Sequence, residues 1–410
     1  MRFLLSFFLF MIVSLNIYPA ENQNTLNFEK AKQILINENK ELKAIRYQIE
    51  KAKLEKQNSY KKSYPDIKGV FSYSRTETQL SSSNLYSLGA NLTMPIINYE
   101  INYLKTYSDI EISKIEAEYK TKLSQLLYEL RVLLANITEY KELYNISISI
   151  AEKRKKNYDI IKMKYNSGLE SRSALLETET SLKLALWEMD NYKNKISIYE
   201  KKLNLLLNRP IDNKIEEIEI ALPDSELNLN LNEIVNLHPE VLKTRLWIIQ
   251  QKALIKLKTN ERLPQLNFSS SISKSGADIK LQNKSWDISA SLSVPIFSSG
   301  KISLEETIEK KNLSKLEEDL NTLIETIYVN SYEKLIDFNQ SLSYYEIAKS
   351  SLESAKTRAW LVETQYLNGQ SSYFEWKTEQ DRVINEEKNL IISKSGIIIK
   401  YADFLRSIGE

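Results

Sequence analysis

Apolar residues follow two different periods along the chain, and the switches between them mark its elements. Over 26–62, Leu35, Leu42, Ile45 and Ile49 recur at helical spacing, and Pro65 closes the segment. Residues 66–75 change to period two, with Ile67, Gly69, Phe71 and Tyr73 alternating with Lys68, Val70, Ser72 and Ser74, which predicts a strand. A polar stretch runs from Glu77 to Asn84. A second strand over 86–94 then sets Tyr86, Leu88, Ala90, Leu92 and Met94 against Ser87, Gly89, Asn91 and Thr93, and ends at Pro95. Between Pro95 and Gly168 there is neither glycine nor proline. As one helix this run would be about 100 Å long at about 1.5 Å per residue. Its middle carries a stripe of Ile112, Ile115, Tyr119, Leu123, Leu126, Leu130, Leu133, Ile137, Tyr140 and Tyr144, mostly in alternating steps of three and four, as in coiled-coil packing. A return helix reaches Arg209.

The same plan then repeats. Tyr64-Pro65-Asp66-Ile67 corresponds to Leu263-Pro264-Gln265-Leu266, Pro95 to Pro295, and Tyr165-Asn-Ser-Gly168 to Tyr366-Leu-Asn-Gly369. The three offsets, 199, 200 and 201 residues, are nearly constant and in order. A unit of this length is a duplicated half-protein rather than a solenoid repeat. The second half has a helix over 231–261 and strands at 265–274 and 285–294. Its first strand places Leu266, Phe268, Ser270 and Ile272 on one face. Its second places Trp286, Ile288, Ala290, Leu292 and Val294 there, with Asn, Ser and Asp opposite. The chain thus divides into a signal peptide (1–20), a first repeat (21–209) with a helical hairpin over 97–209 turning at Gly168, a connecting segment (210–232) read as irregular, and a second repeat (233–410) with a hairpin over 301–410 turning at Gly369.

Composition narrows the function. Basic and acidic residues nearly balance, 56 against 54, which gives no reason to expect nucleic acid as a partner. There is no cysteine, so disulfides and thiolate chemistry are excluded, and the one histidine, His238, sits before Pro239 at a helix start, a capping position. Neither a glycine-rich phosphate loop nor a catalytic triad is present, and no cofactor or metal is expected: the chain reads as a non-enzyme. Arg2, the apolar run from Phe3 to Leu15 and the small Ala20 predict a secretory leader, an uncleaved N-terminal anchor being the competing reading.

Four strands, each apolar on one side and rich in Ser and Asn on the other, leave two open edges if they form one sheet. A bilayer accepts strands only in a closed barrel. Four cannot close a conducting one, but several chains contributing four each can, with apolar faces toward lipid and Ser/Asn faces lining a wet lumen. Tyr73, Tyr86 and Trp286, near the strand ends, suit an aromatic girdle. A water-soluble β-subdomain packed on a helix is the competing reading of the alternation, and a periplasmic adaptor or coiled-coil structural protein the competing reading of the whole.

The ordered set of Pro65/Pro264, Pro95/Pro295, Gly168/Gly369 and the terminal Tyr401-Ala-Asp-Phe-Leu-Arg-Ser-Ile-Gly409 resembles the TolC-like outer-membrane efflux proteins over essentially the whole mature chain. The resemblance implies a mixed α/β membrane protein made mainly of long helices: a homotrimer with one 12-stranded outer-membrane barrel continued by a periplasmic α-helical tunnel. It further implies a passive channel subunit of a tripartite efflux or type I secretion system, docked to a periplasmic adaptor and an inner-membrane pump. Carried over residue by residue, Gly168, Leu169, Gly369 and Gln370 fall at the adaptor-contacting tips. Tyr366 matches a gate tyrosine, and Glu375 the first of two acidic aperture positions, the second being Thr378 here. Glu179 and Glu379 lie nearby but off register. The acidic and arginine partners usual for the gate tyrosine are replaced by Ala174 and Ser371. Phe71, Tyr73, Leu88, Leu92, Phe268, Ile272, Ile288 and Leu292 fall on the lipid face of the barrel.

Overall fold

A computed structural model describes residues 25–78, 81–215, 217–223, 227 and 229–410; the expected leader at 1–20 lies outside them. In chain order the elements are β1 (Thr25–Asn27), α1 (Phe28–Glu38), α2 (Lys40–Lys61), β2 (Asp66–Thr78), β3 (Ser81–Ile97), α3 (Tyr99–Asn166), α4 (Arg172–Leu206), β4 (Glu217–Glu219), α5 (Leu231–Asn236), α6 (Pro239–Asn260), β5 (Gln265–Gly276), β6 (Asn283–Ser293), α7 (Lys301–Leu367) and α8 (Tyr373–Ser407).

The helix expected over 26–62 is two helices, broken at Asn39. The Asn39 side chain accepts from the backbone N–H groups of Glu41 and Leu42 (2.9 and 3.2 Å) and donates to the Leu206 carbonyl (2.9 Å), so it caps α2 and ties it to the end of α4. The helix expected over 231–261 is also broken, at Leu237-His238. Pro239 starts α6, where a missing N–H costs nothing, and His238 Nδ1 accepts from the Glu240 N–H at 3.2 Å. The connecting segment is not wholly irregular, because β4 pairs in parallel with β1. At three residues each, these strands are too short to show a period.

Helices α3 and α7, of 68 and 67 residues, each span about 100 Å and pack against the return helices α4 and α8. Along the α3 stripe the centre is buried (Leu126, Leu130, Leu133, Ile137) and the ends are half-buried. The main core forms there, where Leu35 of α1, Leu42 of α2 and Leu203 and Leu207 at the end of α4 close around Leu130 and Leu134. A second core joins Leu231 and Leu335 to Phe404, Leu405 and Ile408, and Phe338 packs against Tyr401 with the rings tilted and their centroids 5.3 Å apart.

The four long strands form one antiparallel sheet in the order β2-β3-β5-β6, so β3 and β5 join the two repeats, and β2 and β6 are the edges. The ladders run further than the alternation suggests. β2 and β3 remain paired out to Thr78 and Ser81, through most of the polar stretch, because backbone groups pair whatever the side chains are. Tyr73 and Tyr86 therefore form a cross-strand pair five residues inside the ladder rather than at its end, with centroids 4.7 Å apart. Gly89 lies where β3 and β5 approach closely: a Cβ there would stand 2.7 Å from the Ile272 carbonyl oxygen.

Candidate functional site: the two-faced sheet and the hairpin tips

Directly opposed residues in an antiparallel ladder share a face. The register puts Phe71 opposite Leu88, Tyr73 opposite Tyr86, Ile67 opposite Leu92, Ile272 opposite both Ala90 and Trp286, Phe268 opposite Met94 and Ala290, and Leu266 opposite Leu292. All eight residues read from the sequence as one apolar set thus fall on one side, and Phe71, Tyr73, Leu88, Ile272, Ile288 and Leu292 are half or more exposed in the single chain. The other side is a field of hydroxyls. Ser72 and Ser87 (3.1 Å), Ser269 and Ser289 (2.7 Å) and Ser273 and Ser285 (2.8 Å) hydrogen-bond across the strands. One side is suited to hydrocarbon and the other to water.

At the far end from the sheet the two hairpins turn in the same way. Gly168 and Gly369 adopt left-handed φ values of +72° and +75°. The Gly168 N–H donates to the Tyr165 carbonyl (3.0 Å) and the Leu169 N–H to that of Lys164 (2.8 Å). Gly369 and Gln370 repeat this toward Tyr366 and Gln365 (3.1 and 2.8 Å). This pair of bonds closes a helix end, and it needs a residue that tolerates positive φ. Ser171 and Ser372 then cap the return helices, accepting from the Ala174 and Glu375 N–H groups at 3.1 Å. Leu169 is exposed at the tip.

Tyr366 is held by two residues. Trp376 stacks on it, centroids 4.9 Å apart and within 4° of parallel. Lys164, from the other hairpin, donates to its hydroxyl at 3.0 Å and lies 4.8 Å from its ring centroid. Ser371, at the arginine position of the resemblance, instead donates to Glu375 Oε2 (2.9 Å). Glu375 is exposed on the first turn of α8, as is Thr378 on the next. Glu379 is buried and paired with Arg358 at 2.8 Å, and Glu179 is bound by Lys183 at 2.7 Å, which holds its carboxyl below the usual range. Burial keeps Glu379 out of the exposed surface that carries Glu375.

A charge network that the sequence reading did not single out lies just behind the tip. Arg154 of α3 pairs with Asp381 of α8, and Lys377 bridges Glu177 of α4 (2.6 Å) and Asp381 (3.6 Å). Further along, Lys388 meets Glu188 at 2.7 Å. Burial, with Glu177 nearby, pushes the Tyr373 phenol up to about 12, so it stays protonated among these groups. The sequence carries only a weak signal for the network. Glu177/Lys377 and Glu188/Lys388 are opposite charges 200 residues apart, one position off the 201-residue offset that relates the two tips and their return helices.

No helix among the described residues is long and apolar enough to cross a membrane, and no group of His, Cys, Asp and Glu there could hold a metal ion. No curated protein sequence matches the chain. Solved structures do. The Campylobacter jejuni CmeC outer membrane channel is similar with a TM-score of 0.81 at 18% identity, over 93% of this chain and 85% of that one. The Vibrio cholerae outer membrane protein VceC is similar with a TM-score of 0.79 at 12% identity, over 93% and 96%. The open-state Neisseria gonorrhoeae MtrE outer membrane channel is similar with a TM-score of 0.80 at 14% identity, over 93% and 88%. At these identities they establish the fold: a strand-built membrane part and a helical tunnel. The family model described as outer membrane efflux protein matches residues 32–209 and 230–409, one span for each repeat. The chain therefore belongs to the outer membrane efflux protein family, as a subunit of an outer-membrane efflux channel with its helices in the periplasm.

Proposed function

We propose that three copies of this chain close one 12-stranded barrel and a continuous helical tunnel, and that the assembly passively conducts substrates delivered through a periplasmic adaptor by an inner-membrane pump. The observation that carries this is the sheet: four strands, one apolar face, one hydroxyl face and two unpaired edges, β2 and β6. Pairing β6 of one copy with β2 of the next is a head-to-tail contact, which makes a ring when the rotation closes. With strands about 4.8 Å apart and tilted about 40°, 12 strands give a backbone diameter of about 24 Å, whereas about eight strands leave an interior filled by side chains. Serines then line a wet lumen, and Phe71, Tyr73, Leu88, Leu92, Phe268, Ile272, Ile288 and Leu292 meet lipid. Exposed Tyr344, Ile347, Trp360 and Leu361 along α7 supply apolar surface for neighbouring copies to cover.

At the periplasmic end, Gly168, Leu169, Gly369 and Gln370 present the adaptor-contacting tips, and three copies each of Tyr366 and Glu375 frame the aperture. Three like carboxylates close together attract cations. Light scattering of the detergent-solubilised full chain, joined to planar-bilayer recording, tests the reading. A mass of three chains and a conductance selective for cations are expected; a monomer or dimer that conducts nothing would overturn it.

A further inference from the structure

Among the described residues, two charges without an ion-pair partner break the apolar face of the sheet. Lys274 and Lys284 stand directly opposite each other across the β5–β6 ladder. Each is two residues along its strand from Ile272 or Trp286, and so on the same side. Their row continues through Leu88 to Phe71. Both lysines are exposed. Like charges directly opposite destabilise a strand pair unless something neutralises them. Elsewhere the sheet supplies its own partners: Lys68 meets Asp66 at 2.8 Å, and Arg75 lies 3.7 Å from Glu77. Asp287 has the opposite parity on β6 and faces the hydroxyl side. Asp278, in the connection between β5 and β6, accepts from the Lys280 backbone N–H. Among the described residues neither Lys274 nor Lys284 forms an ion pair.

Their height on the sheet is also defined. The helices attach at one end, and the β2–β3 and β5–β6 connections lie at the other, which faces outward when the helices are periplasmic. Lys274 and Lys284 are close to that outer end, since β5 stops at Gly276 and β6 starts at Asn283. One row outward lies the Tyr73–Tyr86 pair, and one row inward is Trp286 opposite Ile272. Tyrosine and tryptophan rings mark the headgroup level of a membrane, and lysines at the edge of the hydrocarbon extend their ammonium groups toward it. Two opposed ammonium groups at this level match the doubly anionic oxygens of a phosphate.

We propose that Lys274 and Lys284 together hold the phosphate of an anionic lipid in the outer leaflet, one site per copy of the chain. This rests on the reading that the apolar face of the sheet meets lipid, and the test separates the two. Trp286 reports on the site. The other four tryptophans, Trp187, Trp247, Trp360 and Trp376, are all on helices. The full-length protein is reconstituted in phosphatidylcholine vesicles, and its fluorescence is quenched with either brominated phosphatidylcholine or brominated phosphatidic acid.

The expected result is quenching by both lipids, with phosphatidic acid preferred by about fivefold for each lysine engaged. The preference should disappear in Lys274→Gln/Lys284→Gln and persist in Lys274→Arg/Lys284→Arg. Equal preference in the wild type and the Gln pair would overturn the proposal while leaving the lipid-facing sheet intact. A preference abolished by millimolar inorganic phosphate would overturn it too, by assigning the pair to a soluble anion. No quenching of Trp286 by either lipid would instead remove the lipid-facing reading on which the proposal rests.

Discussion

Lys164→Met is the sharpest test of how Tyr366 is held. The substitution keeps an unbranched apolar stem and removes the terminal ammonium with its charge. Two interactions are lost: a hydrogen bond of 3.0 Å to the phenol and a cation–π contact at 4.8 Å. For partly exposed groups each is worth about 1 kcal/mol, and because one ammonium makes both, a combined loss of about 1.5 kcal/mol per protomer is a reasonable sum. That is roughly a tenfold change in the population of the held tyrosine in each protomer. If Tyr366 frames a closed aperture, planar-bilayer recording should show Lys164→Met raising open-state occupancy by about this factor. Lys164→Arg should stay close to wild type, since a guanidinium can both donate and stack. A double-mutant cycle with Tyr366→Leu should return a coupling energy of about 1 kcal/mol in thermal unfolding. Zero coupling together with an unchanged open-state occupancy would refute the reasoning, and would leave Trp376 as the residue that fixes the ring.

Two further outcomes concern the frame that carries the aperture. Asn39→Ala removes the cap of α2 and leaves the Leu206 carbonyl without its donor in a buried site, so thermal unfolding should show a loss of about 2 kcal/mol, with Asn39→Asp recovering only the capping part. Burial holds the His238 imidazole below its ordinary 6.5, so the unfolded chain binds the extra proton first: stability present above pH 6.5 should fall as pH drops from 6.5 toward the depressed value, and a melting series on His238→Asn, which can cap without titrating, should lose that slope.

Much of this molecule is legible along the chain because its elements are long and keep one period each. The strands announce themselves through Phe71/Tyr73 and Ile288/Leu292, and the hairpin ends through Gly168 and Gly369, where the backbone needs positive φ. The break at Asn39 was hidden because Leu35 and Leu42 continue the helical spacing straight across it, and only a distant acceptor, the Leu206 carbonyl, fixes the side chain. The outer ends of β2 and β3 were hidden for the opposite reason. Polar side chains there look like a loop, while the backbone goes on pairing. At the tip, Tyr366 was recognisable but its partners were not. Lys164 and Trp376 come from different helices, and nothing in their spacing shows that they converge. The Glu177–Lys377 and Glu188–Lys388 pairs were hidden too, because the partners are one position off the repeat equivalence and meet only where α4 and α8 lie side by side.

Those two pairs have a consequence for the duplication itself. With glutamate in the first half and lysine in the second, each half carries a charge that only its counterpart complements. At the 201-residue offset that relates the return helices, a chimaera of two first halves would set Leu176 and Trp187 against Glu177 and Glu188, and one of two second halves would set Thr378 and Asn389 against Lys377 and Lys388. Either loses both ion pairs. Being written as a single polypeptide thus does more than economise on subunits: it keeps each acidic half beside its basic counterpart and makes their order part of what the sequence encodes.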